Sequence, residues 1–133
     1  MIRGHRTLPH TADTRIQAWA PTVMECVAEA VLAMSDGFLD TAAGVACAEQ
    51  RVHLPPGRPE DRLVAALEEV IYRMDTTGQV PIRATPEEDG LLLATAEVGT
   101  MPQTGAVPKA VTLHGLAFEQ RGDQWMCTVT VDV

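Results

Sequence analysis

Two stretches of this chain repeat apolar residues at helical spacing, while the segments around them alternate apolar and polar residues. The first stripe runs through Val23, Val27, Ala30, Val31 and Met34, and the second through Leu63, Ala66, Leu67, Val70, Ile71 and Met74. Both have ends written into the sequence. Thr22 stands three residues before Glu25, the spacing of a capping box, with Pro21 just ahead. Gly37 falls at the C′ position that favours glycine. Pro59 suits a first helical turn, and Glu60 and Asp61 follow where the helix dipole favours acids. Asp75-Thr76-Thr77-Gly78 stops the second helix.

The alternating segments predict strands over 3–9, 14–20, 46–54, 80–85, 90–98, 109–120 and 124–133, the first of them polar and at a sheet edge. Ile16, Ala18 and Ala20 share one face of their strand, and Arg15, Gln17 and Trp19 the other. Residues 86–90 read as a hairpin turn, 121–123 as a hairpin loop, and 99–108 as a Gly- and Pro-rich connection. The order ββ-α-β-α-ββ-ββ predicts an α+β fold, an antiparallel or mixed β-sheet with two helices packed on it. At 133 residues the chain forms one domain spanning 1–133, long enough to bury roughly two-thirds of its unfolded surface. With 4% aromatic residues the core is mostly aliphatic, and Phe38 and Leu39 are expected to tuck back onto it.

Charge narrows the function. Ten basic residues face 18 acidic ones, for a net charge of −8. Nucleic-acid binding draws on Lys and Arg to neutralise phosphates, so an acidic domain with no basic run is a poor primary RNA or DNA binder, although Arg3, His5 and Arg6 cluster at the start. Cys26, Cys47 and Cys127 are odd in number and lack C-x-x-C spacing, which argues against a disulfide framework or a zinc site. They read as small buried hydrophobes in a reducing compartment. Residues 1–10 are charged and poor in apolar residues, unlike a signal peptide. No apolar run approaches the roughly 20 residues of a membrane span. A cytoplasmic protein is expected.

Nucleotide-binding, α/β-hydrolase and zinc-protease signatures are absent from the sequence. Three segments carry chemistry. In His10-Thr11-Ala12-Asp13, Asp13 either caps a turn through its own backbone or projects as a ligand with His10 nearby. In the terminal strand, Trp125, Cys127, Val129, Val131 and Val133 share one face, and Met126, Thr128, Thr130 and Asp132 the other. Asp132 is a solvated strand end, or, with the chain ending at Val133, part of a carboxylate and carbonyl cluster suited to a hard cation such as Ca²⁺ or Mg²⁺. The strand 109–114 carries His114, read locally as a structural histidine bonded to a carboxylate or backbone group.

His10-Thr11-Ala12-Asp13, Lys109-Ala110-Val111-Thr112-Leu113-His114 and Val131-Asp132-Val133, taken together, resemble the archease family, as does the helix exit Val70-Ile71-Tyr72-Arg73-Met74-Asp75-Thr76. The resemblance spans nearly the whole chain in order. It implies an archease-like domain that runs no reaction alone and assists the GTP-dependent RNA ligase of tRNA splicing. That ligase joins RNAs bearing 2′,3′-cyclic or 3′-phosphate ends, and archease-like proteins promote its guanylylation and repeated turnover. The resemblance further implies a divalent-metal site, usually described with calcium, made by Asp13 and Asp132 with backbone or terminal oxygen of Val133; His10, Lys109 and His114 would support it or touch the partner. The segment 99–108 is shorter and less charged than is common in the family, and Leu113 stands where an aromatic is usual. Two other functions are compatible with the same residues: a small metal-dependent phosphohydrolase using Asp13, Asp132 and His10, and a general chaperone or interaction domain. The acidic side of the second helix, with Glu60, Asp61, Glu68 and Glu69, reads as a solvated face.

Overall fold

The computed structural model describes residues 2–8 and 13–133. Strands β1 (Gly4–Leu8) and β2 (Asp13–Ala20) lead into helix α1 (Val23–Asp36). Strand β3 (Ala48–His53) and helix α2 (Pro59–Thr77) follow, then the hairpin of β4 (Gln79–Glu87) and β5 (Gly90–Glu97). Strands β6 (Ala110–Arg121) and β7 (Gln124–Asp132) close the chain.

The predicted helix ends hold, with one difference in chemistry. The Thr22 hydroxyl oxygen accepts a bond from the Glu25 N–H at 3.2 Å, and the hydroxyl donates to the Glu25 carboxylate at 3.0 Å. Gly37 ends α1 with right-handed φ −69°, so the left-handed cap falls on α2 instead, where Gly78 has φ +71° and donates to the Met74 carbonyl at 2.9 Å.

The single expected sheet is two, both antiparallel: β1-β2-β7-β6 and β3-β5-β4. The alternation places strands correctly but carries no information on which strand pairs with which. β4 also runs on through Pro86 and Glu87, which leaves a turn of Glu88 and Asp89 where a five-residue turn is expected. Proline within β4 is tolerated because β4 is an edge strand, where a missing N–H need not face a ladder. Gly90 opens β5 opposite both Glu87 and His53.

Both sheets and both helices share one core. Ile16, Ala18 and Ala20 of β2 and Cys127, Val129 and Val131 of β7 are buried to within 1% of full occlusion, the two faces the alternation predicts. They share one cluster with the α1 stripe, with Leu63, Leu67 and Val70 of α2, and with Val52, Leu91 and Leu93 of the smaller sheet. At roughly 25 cal/mol per Å² of apolar surface removed from water, each such leucine or valine contributes about 1.5–3 kcal/mol. A satellite cluster of Phe38, Leu39, Met74, Val80, Ala96 and Met101 ties the connection after β5 to the helix ends. Of the cysteines, Cys26 and Cys127 are buried with their sulfurs 3.6 Å apart, but Cys47 is exposed. It precedes the first paired residue of β3 and points away from Val52 and Leu54, so the buried reading fails for it.

Candidate functional site

The same registry that buries Ile16 against Val129 brings the two ends of the sequence together. β2 and β7 pair antiparallel from Ala20 opposite Trp125 to Asp13 opposite Asp132. Asp13 is the first residue of β2 rather than part of the preceding turn. Its side chain and that of Asp132 leave the ladder on the same face as direct cross-strand neighbours. Asp132 is exposed and Asp13 half-buried.

The Asp132 carboxyl is raised above the usual carboxylate range, chiefly by the hydrogen bond with Asp13, then by loss of solvent and by repulsion from the Asp13 charge. Lys109 acts in the opposite direction. Its backbone N–H also donates to the Asp132 carbonyl at 2.8 Å, which fixes the strand end.

Beside Asp13 lies an open depression of about 520 Å³ lined by Asp13, Arg15, Thr112, His114, Gly115 and Thr130. Arg15 and Thr130 stand opposite each other in the ladder, one pair along from Thr14 and Val131. Neither was singled out from the sequence, although i, i+2 spacing from Asp13 and Asp132 places both on the same outer face. His114 and Gly115 arrive through a bulge. Thr112 of β6 pairs with Thr130, and Ala117 with Thr128, so four residues of β6, Leu113 to Leu116, oppose one of β7. Gly115 takes φ +74° there with open space around its Cα, and the His114 N–H donates to the Thr112 hydroxyl at 3.3 Å.

Of the residues expected at the site, Asp13 and His114 line one depression, Asp132 stands opposite Asp13 in the ladder, and Lys109 bonds the Asp132 main chain. Val133 continues the chain beside them, but its side chain turns inward against Met34, Phe38 and Val131, as the strand alternation predicts. His10 lies outside the described residues.

Among the described residues no group of three or more His, Cys, Asp or Glu side chains forms a metal cluster. The pair nevertheless fits a hard cation in kind: both donors are carboxylate oxygens on one face of the ladder, and a divalent charge between them would offset their mutual repulsion. Two carboxylates supply fewer than the about six to eight oxygens that Ca²⁺ takes, which leaves positions for main-chain oxygen, water or a second molecule.

The fold belongs to a class already described. Residues 5–133 match the archease protein family (MTH1598/TM1083), and the chain belongs to that family. It is 46% identical over 134 residues to the probable protein archease of Mycobacterium tuberculosis, covering 98% of this chain and 75% of that one. It is 31% identical to the protein archease of Methanosarcina mazei, covering 98% and 97% of the two chains. Two solved structures share the fold. The solution structure of Methanobacterium thermoautotrophicum protein 1598 superposes with a TM-score of 0.73 at 24% identity, over 98% of this chain and 99% of that one. The crystal structure of an "archease, possible chaperone" from Thermotoga maritima gives 0.72 at 23% identity, over 96% of each. Among the described residues no helix is long and apolar enough to cross a membrane.

Proposed function

We propose that this chain is a non-catalytic activator of the GTP-dependent RNA ligase of tRNA splicing, acting in the cytoplasm, and that it works through a divalent cation held by Asp13 and Asp132. The observation that carries the reading is the registry of those two aspartates, drawn from opposite ends of the sequence onto one exposed strand end. Main-chain oxygen of Val133 joins the set, and Ca²⁺ or Mg²⁺ suits the oxygen donors.

The surroundings support a role beside a phosphate-handling enzyme. A bound divalent cation would supply electrostatic stabilisation of phosphate charge. Arg15, in the same depression, offers a guanidinium to a phosphate oxygen. Lys109 orients the Asp132 main chain through its N–H bond, and Thr112 and Thr130 add hydroxyls to the rim. The net charge of −8 disfavours RNA binding by the domain itself, so the RNA is left to the ligase.

The test is multiple-turnover ligation of RNA with a 3′-phosphate end by the cognate ligase, with and without this protein. Wild type is expected to raise turnover in a cation-dependent manner, and Asp132→Asn to lose the effect. An unchanged turnover at every cation concentration would end this reading. The general chaperone reading, in line with the words carried by the Thermotoga maritima relative, predicts instead protection of unrelated unfolded proteins regardless of Asp132.

A further inference from the structure

The bulge in β6 has two sides. One, through His114 and Gly115, lines the depression that holds Asp13. The other carries Leu113, which is 67% exposed, and Leu116. With Val64 and Ala65 of α2 they form an apolar-floored groove of about 420 Å³. Glu60, Asp61 and Glu68 line the same groove. Arg58 is paired with Glu60 at 3.0 Å, whereas Asp61 and Glu68 have no ion pair among the described residues.

Glu60 and Asp61 have a local purpose in the first turn of α2. Glu68 lies two turns further on and serves no helix end, and Leu113 is a large aliphatic side chain held out in water by four residues that leave the ladder. A strand that kept pairing through 113–116 would not lift it. The bulge therefore maintains an apolar tip beside an acidic wall, on a surface continuous with the candidate metal site.

We propose that this groove, between α2 and the β6 bulge, docks a basic segment of the partner protein, with one apolar side chain of that segment seated between Leu113, Leu116 and Val64 and its Lys or Arg side chains against Asp61 and Glu68. The occupant is a protein segment and not nucleic acid, because the acidic wall repels phosphate. The proposal rests on the activator reading for the partner's identity, the RNA ligase. Its geometry assigns the two sides of one bulge to two tasks, docking on the Leu113 side and cation chemistry on the His114 side.

The experiment measures the Kd of the purified ligase for wild type, Leu113→Asp, Glu68→Lys and Asp132→Asn by titration calorimetry, together with ligation turnover at rising activator concentration. Leu113 and Glu68 are exposed, so both variants are expected to keep the wild-type circular dichroism and the wild-type thermal shift with CaCl₂. Leu113→Asp and Glu68→Lys are each expected to weaken binding about tenfold or more, as removal of a central contact commonly does. Their maximal turnover recovers when the activator is raised in proportion. Asp132→Asn shows the reverse pattern, with unchanged Kd and lost turnover. If wild type activates and both groove variants bind the ligase as tightly as it does, the groove proposal is overturned while the activator reading stands. If wild type neither binds nor activates, both fall.

Discussion

His5 on β1 is clamped between two carboxylates of α1, and that clamp makes a sharp prediction about pH. Its Nδ1 lies 2.8 Å from Glu29 Oε1 and its Nε2 lies 2.9 Å from Asp36 Oδ2. Arg3 also bonds Glu29, and the Thr41 hydroxyl donates to Asp36 at 2.5 Å. A neutral imidazole has one N–H and can donate to one carboxylate only, so the geometry calls for imidazolium. The hydrogen bond to Asp36 accordingly raises the His5 pKa; burial opposes the rise, and the bond to Glu29 and both carboxylate charges add to it. Burial opposes ionisation of Asp36, but the bonds from His5 and Thr41 outweigh it and hold its carboxyl below the ordinary range. Hydrogen bonds to charged groups are worth about 1.5–3 kcal/mol net, and exposure of 24% at His5 and 42% at Asp36 calls for discounting that. A total of about 2 kcal/mol is reasonable for His5→Gln. With about 2.1 cal/mol/K of unfolding entropy per residue, a chain of this size loses about 7 °C in Tm. The raised His5 pKa gives stability that is full below the unfolded value of 6.5 and drains as pH rises through the folded value. The lowered Asp36 pKa gives stability present above 3.8 and lost as pH falls through its folded value. Thermal unfolding of wild type and His5→Gln should therefore differ most between about pH 4 and 6.5 and converge toward about pH 9. An equal gap at both ends of that range would refute the imidazolium clamp.

Three further outcomes follow from the geometry. A hundredfold excess of CaCl₂ over its Kd should stabilise wild type by about 2.7 kcal/mol and leave Asp132→Asn unmoved; a wild-type Tm indifferent to Ca²⁺ and Mg²⁺ would remove the metal site. Gly90→Ala puts a Cβ 1.9 Å from the Val52 carbonyl oxygen, a backbone atom that cannot turn aside, so urea unfolding should report a loss of about 2–3 kcal/mol. Native protein treated with a thiol alkylating agent should take up one label, at exposed Cys47. Buried Cys127, whose thiol is pushed up by its hydrogen bond with Cys26 and by burial, should react only after unfolding.

Much of the fold was legible because its signals are local. The Thr22 cap, the Pro59 start and the two apolar stripes need only neighbours within one or two turns, and α1 and α2 appear where those marks stand. What failed depends on partners distant in sequence. Alternation cannot say that β3 joins β5 and not β2, so two sheets were read as one. The β6 bulge has one local mark, Gly115 inside an otherwise strand-like run, but only pairing with β7 shows that four residues are left over. The His5 clamp joins side chains 24 and 31 positions apart, and Gln17, Arg15 and Thr130 look like any outward strand residues until the ladder is known. Asp13 and Asp132 could be named through family resemblance, but their being opposite each other is a property of the register alone.

That register also bears on why a protein would tolerate the pair. Like charges directly opposite in an antiparallel ladder are destabilising, and the Asp132 carboxyl is raised chiefly by its hydrogen bond with Asp13, with desolvation and that repulsion adding to it. A slip of one residue would separate the aspartates, but it would also turn Ile16, Ala18 and Ala20 out of the core and break their match with Val129 and Cys127. Several buried side chains, each worth about 1.5–3 kcal/mol, far outweigh one exposed repulsion screened by water. The core therefore forces the two carboxylates together, and nothing in folding rewards the arrangement, since Asn or Thr at either position would fill the strand end without strain. A local rule broken at the surface, over a β2–β7 layer whose apolar faces are buried as the alternation predicts, is the pattern expected of a functional site. It places the cost of the pair where a cation can remove it.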